Sequence, residues 1–102
     1  MKKNGKYNRY IFLKKINRKS IILIKGKNKY YSYGKDLEIL KFINFNMEYI
    51  NSSLSYLDRY NINYIVLDNL SVIIDKAYNE NNYNKYLKLV YLKNILLKIG
   101  NI

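Results

Sequence analysis

The sequence predicts a small α/β (α+β) domain, a mixed β-sheet flanked by helices, and three observations carry that prediction. Ser20–Ile24 and Asn63–Leu67 are continuous apolar runs rich in β-branched residues, the pattern of strands buried on both faces. Tyr7–Asn17, Lys35–Phe42 and Tyr83–Ile99 instead repeat their apolar residues at helical spacing. The 102 residues suffice for one modest core and leave no room for a second domain.

Residues 1–6 read as a basic tail, and 7–102 as the single domain, ending in a long helix. In the first helix Tyr7, Tyr10, Ile11, Phe12, Leu13 and Ile16 alternate with Arg9, Lys14, Lys15 and Arg18, giving an amphipathic element with a basic back. After the strand at Ser20–Ile24, Gly26 and Asn28 supply turn chemistry, since both tolerate positive φ. Tyr30–Tyr33 returns as the partner strand, with Lys25, Lys27 and Lys29 at or beside the hairpin tip. Strand alternation turns Tyr31 and Tyr33 inward and leaves Tyr30 half exposed.

Gly34 lets the chain turn into the second helix. Ile43–Tyr49 fits a short strand or a loop, and Asn51, Ser52 and Ser53 are N-cap candidates for a helix that places Ile50, Leu54 and Leu57 on one face and ends near Asn61. A turn at Asp68 and Asn69 follows the third strand, Val72–Ile74 fits an edge strand, and Asn79–Asn82 is a loop. The last helix carries Leu87, Leu89, Val90, Tyr91, Leu92, Leu96 and Ile99 on nearly every azimuth, until Gly100 stops it. Such a helix is buried on more than one side, by its own chain or by a partner.

Composition removes several function classes. Without cysteine there are no disulfides and no thiolate metal sites, and without histidine the commonest general base and zinc ligand is missing. The four glycines fit no phosphate-loop or dinucleotide pattern. Asp36 with Glu38, and Asp68 with Asp75, are the acidic pairs to weigh, and helix-start electrostatics account for the first. No enzyme, cofactor or metal is expected. Every apolar run is too short to span a membrane, so a cytoplasmic protein is expected.

Asn, Lys, Ile and Tyr make up 60 of the 102 residues, a bias that an AT-rich genome produces by itself. The placement of charge is more informative. The formal net charge is +12, all seven acidic residues lie between Asp36 and Glu80, and the first 29 residues carry eleven Lys or Arg and no acid. A field of that sign attracts nucleic acid, an anionic surface or an acidic protein. Lys25, Lys27, Lys29 and Tyr30 form the candidate nucleic-acid contact, basic side chains beside an aromatic ring, with Arg9, Lys14, Lys15, Arg18 and Lys19 in support. Leu89, Leu92, Leu96 and Ile99 form the candidate interface for a protein partner or a second copy.

At these residues the chain resembles the N-terminal, mismatch-recognition domain of MutS in its short stand-alone form. Ile21–Lys25 matches that family's apolar strand, Lys27-Asn28-Lys29-Tyr30-Tyr31 stands at its Gly-Asp-Phe-Tyr-Glu motif, and Tyr33, Asp36 and Leu37 follow in step. Phe45–Asn69 resembles the segment in which a helix leads to a strand, and the likeness covers roughly residues 7 to 90. It implies the family's fold and an affinity for nucleic acid. Where the family's Phe wedges against a mispaired base this chain has Lys29, and where its Glu hydrogen-bonds to that base it has Tyr31. Lysine is no aromatic wedge, so mismatch reading is not expected. The expectation is a non-enzymatic nucleic-acid-binding domain of this kind; the alternative is an adaptor or inhibitor, of phage or mobile-element type, acting through its basic surface or its last helix.

Overall fold

A computed structural model describes residues 5–48 and 54–100. The elements follow in the order α1 (Gly5–Ile16), β1 (Ile21–Lys25), β2 (Tyr30–Tyr31), α2 (Gly34–Phe42), a 3₁₀ helix (Leu54–Tyr60), β3 (Tyr64–Asp68), β4 (Ser71–Lys76) and α3 (Tyr83–Gly100). They build the α+β class that the apolar runs predict. β1 and β3 pair in parallel at the centre of a four-stranded sheet of order β2-β1-β3-β4, with both outer pairs antiparallel.

Because both central strands are covered on both faces, their side chains divide between two cores. Ile21, Leu23, Tyr64 and Val66 face α2, the 3₁₀ helix and α3, packing with Ile39, Leu40, Ile43, Phe45, Leu57, Ile62, Tyr83 and Val90. Ile22, Ile24, Ile65 and Leu67 face α1, where Tyr10, Ile11 and Leu13 cover them. All four residues from Ile21 to Ile24 are fully shielded, each contributing about 1.5–3 kcal/mol of hydrophobic stabilisation.

β2 is only two residues long, and side chains complete what it leaves unfinished. Past Tyr31 no strand pairs with β1 on that side among the described residues, yet Ile22 N–H donates to Asp36 Oδ2 at 3.0 Å and Ser32 Oγ donates to Ile22 O at 2.9 Å. Two buried polar side chains thus take the place of the missing rungs. At the other edge, β4 carries one residue more than β3, since Val66 pairs with Ile74 and Leu67 with Val72, leaving Ile73 as a bulge. The bulge twists the strand and blunts an edge that pairs with no further strand among the described residues.

Several expectations are corrected. Gly5 and Lys6 belong to α1 rather than to the tail. Gly26 has an ordinary negative φ and serves by its lack of a side chain, because a Cβ would lie 2.5 Å from Tyr31 Cε2 and 2.9 Å from the Lys29 carbonyl oxygen. Positive φ falls instead at Gly34, Asn44, Asn61 and Asn69, at the entry to α2 and at turns. Of the two readings of Ile43–Tyr49, a short strand or a loop, the described part, Ile43–Glu48, is a loop: the chain turns at Asn44, buries Phe45, and offers Met47 O to Tyr30 N–H at 2.9 Å. The helix expected to end near Asn61 is present as a 3₁₀ helix, Leu54–Tyr60, while Tyr49, Ile50 and the N-cap candidates Asn51, Ser52 and Ser53 lie outside the described residues.

Candidate nucleic-acid interface

The site begins with a carboxylate that no water reaches. Asp36, in the first turn of α2, is fully buried and accepts four hydrogen bonds: Tyr10 OH (2.9 Å) and Ile22 N–H (3.0 Å) to Oδ2, Lys14 Nζ (2.7 Å) and Tyr83 OH (2.5 Å) to Oδ1. One side chain therefore ties α1, β1, α2 and α3 together. Lys14 also donates to Ser20 O at 2.7 Å, and its Nζ lies 4.4 Å from the centre of the Tyr83 ring. Burial pushes the Lys14 ammonium below its usual range, against the pull of Asp36. The Tyr10 and Tyr83 hydroxyls are driven far above theirs, by burial first and the Asp36 charge second.

This lattice is the floor of an open cleft of about 540 Å3 between the C-terminal half of α1, the start of α2 and the first turn of α3. Ile11, Tyr83 and Leu87 give it an apolar wall, and Lys14, Lys15, Arg18, Lys19 and Lys35 give it charge. No acidic residue lines it. Lys15, Arg18, Lys19 and Lys35 are exposed and form no ion pair among the described residues. Asn81 Nδ2 donates to Lys19 O at 2.7 Å while its Oδ1 accepts from Asn63 N–H and Tyr83 N–H, so the turn carrying Arg18 and Lys19 is pinned to the starts of β3 and α3.

The nine residues expected to make one surface are divided. Lys14, Lys15, Arg18 and Lys19 converge on the cleft, although Lys14 is spent on its floor. Lys25, Lys27 and Lys29 sit at the opposite end of β1. Lys27 is exposed at the turn, Lys25 is half-buried at the strand end, and Lys29 pairs with Glu48 at 3.0 Å. Arg9 lines a different, largely apolar cleft of about 410 Å3 with Phe12, Leu13, Leu67, Leu70 and Val72. Its Nε is shielded from water and meets no hydrogen-bond partner among the described residues.

Tyr30 is the clear correction. It is 5% exposed, packed against Phe45 in the core shared with α2 and α3, and has no ring face to offer a base. Its neighbour Tyr31 is the half-buried one, lying under Lys6 and Lys29. Lys35, Tyr10 and Tyr83 were not among the expected site residues. Among the described residues, no three His, Cys, Asp or Glu side chains are grouped to hold a metal ion, and no helix is long and apolar enough to cross a membrane.

The candidate partner interface separates from this site along α3. Tyr83, Tyr86, Leu87 and Val90 pack on the core, whereas every residue from Tyr91 to Gly100 is exposed, including Leu92 at 54%, Leu96 at 67% and Ile99 at 59%. Leu89 is half-buried at the boundary. No protein-family model, no curated protein and no solved structure matches this chain.

Proposed function

We propose that this chain is a small non-enzymatic nucleic-acid-binding domain that holds phosphate through the cleft between α1, α2 and α3. The observation that carries the reading is the set of four basic side chains, Lys15, Arg18, Lys19 and Lys35, that form no ion pair among the described residues and line a cleft with no acid in its described lining. Positive side chains on fixed elements position a phosphate backbone without reading sequence. The likeness to the MutS N-terminal domain, which rests on the sequence pattern, agrees with this in kind. Lys29 and Tyr31 stand at that family's reading positions, so the domain binds matched and mismatched duplexes alike.

A titration of labelled single-stranded, duplex and mismatched DNA and of RNA over a range of salt tests the reading. Each phosphate neutralised contributes about −0.7 to −0.9 to the slope of log K against log salt. Arg18→Glu/Lys35→Glu flattens that slope, whereas Lys27→Glu leaves most of it. Absence of binding at low salt, or binding indifferent to salt, refutes the proposal.

The apolar end of α3 favours a second reading, a protein-docking module. Tyr91, Leu92, Ile95, Leu96, Leu97 and Ile99 are each about half exposed or more, a concentration of exposed apolar side chains of the kind found at interaction sites. Light scattering at micromolar concentration separates the cases, because self-association lost on Leu92→Lys supports docking and a monomer at every concentration argues against a second copy as the partner.

A further inference from the structure

We infer that the cleft recognises a terminal phosphomonoester of a nucleotide rather than an internal phosphodiester; this rests on the nucleic-acid reading of the same cleft. Shape is the first reason. The cleft is floored by the Asp36 lattice, and its volume of about 540 Å3 falls in the range of small-molecule pockets, room for one compact ligand.

Charge is the second reason. Lys15, Arg18, Lys19 and Lys35 line the same cleft, and none is neutralised by a carboxylate among the described residues. An internal diester carries one negative charge, while a terminal phosphate carries about −1.5 to −2 at neutral pH and three acceptor oxygens. Four cations lining one cleft suit the second group. Arg18 adds a planar fork that meets two phosphate oxygens at once.

The wall supplies the third reason. Ile11, Leu87 and the edge of Tyr83 present apolar surface beside the cations, a place for the sugar or base attached to that phosphate. Lys14 stays out of the recognition because Asp36, Ser20 O and the Tyr83 hydroxyl already occupy its ammonium. Its part is positional: it neutralises the Asp36 carboxylate beneath the cleft.

The test compares one labelled oligonucleotide bearing a 5′-phosphate, a 3′-phosphate or hydroxyls at both ends, with AMP and inorganic phosphate as competitors. Anisotropy is read at constant salt, and circular dichroism checks that each variant is folded. A phosphorylated end is expected to bind about tenfold tighter or better, the value of one added charge-assisted hydrogen bond. Arg18→Gln and Lys35→Gln bring it down to the hydroxyl level, and Lys27→Gln leaves the ratio unchanged. Competition by AMP well beyond that of inorganic phosphate assigns the apolar wall to the nucleoside; equal competition reduces the site to phosphate alone and overturns the nucleotide part. If all three oligonucleotides bind equally, the terminal-phosphate inference fails while the binding reading stands. If none binds at low salt, both fail.

Discussion

Replacing Asp36 by Asn tests the buried lattice, because the geometry leaves the amide no satisfactory orientation. All four partners of the carboxylate are donors. An amide NH2 at the Oδ2 position faces Ile22 N–H, and at the Oδ1 position it faces the Lys14 ammonium; neither accepts a hydrogen bond. The Tyr10 and Tyr83 hydroxyls rotate to accept, but one donor–donor conflict remains in either orientation. Lys14 is also left half-buried without its counter-charge, and breaking a buried pair in this way costs about 3–5 kcal/mol. Against a total stability of about 5–15 kcal/mol for a domain of this size, urea unfolding followed by circular dichroism should show the midpoint falling by roughly 2–3 M at an m value near 1.5 kcal/mol/M. Lys14→Met alone costs less, since Asp36 keeps three donors. Combined with Asp36→Asn it recovers part of the loss, with a coupling of about 1 kcal/mol or more. An Asp36→Asn loss below about 1 kcal/mol, or strict additivity with Lys14→Met, refutes the account of this lattice.

Gly26→Ala should destabilise by about 1–3 kcal/mol, because its Cβ meets the Lys29 carbonyl oxygen and the Tyr31 ring at once; thermal melting checks it. Tyr30→Phe should leave oligonucleotide affinity within about twofold, as expected of a ring inside the core, whereas Tyr30→Ala should cost about 3–5 kcal/mol of stability. Leu92→Lys/Leu96→Lys should leave unfolding of the monomer within about 0.5 kcal/mol of the parent, since both residues are exposed, while abolishing any self-association seen by light scattering. Tyr10 and Tyr83 have folded-state values above the ordinary 10.0, so their contribution is complete below pH 10 and is lost as the pH rises beyond it, each adding up to about 1.4 kcal/mol per pH unit to the slope. Lys14, lowered by burial, acts in the opposite sense, so the comparison with Tyr10→Phe is decisive: that variant should show a shallower loss in alkaline urea melts.

What the sequence made legible follows from what is local in it. β1 and β3 announce themselves because a strand covered on both faces must be apolar at every position, and Ile21 to Ile24 and Tyr64 to Leu67 are. The same continuity hides parity. Register pairs Ile24 with Tyr31, so Tyr31 shares the α1 face and Tyr30 falls on the other; alternation within Tyr30–Tyr33 gives no hint of this, since both faces are covered. The length of the Gly26–Lys29 turn decides it. Asp36 was legible only as a helix-start acid. Its partners Lys14, Tyr10 and Tyr83 are 22, 26 and 47 residues away, a separation that no local pattern encodes. Lys35 is illegible as a site residue for a related reason, because only the fold brings the start of α2 beside Arg18 and Lys19.

The two unpartnered surfaces respond to salt in opposite ways, and α3 explains why they need not compete. Its first turn lines the basic cleft, while its last turns project beyond the core. α3 contains Lys85, Lys88, Lys93 and Lys98 and no acid. A second copy laid against it must bring lysines together, so salt strengthens self-association by screening that repulsion and by favouring apolar burial. Phosphate binding weakens over the same range through counterion release. An acidic partner on α3 would also weaken with salt, yet it would be indifferent to Arg18→Glu/Lys35→Glu, which alters charge only at the cleft. Salt sign together with that one double variant therefore assigns any observed association to one end of α3 or the other, before the identity of a partner is known.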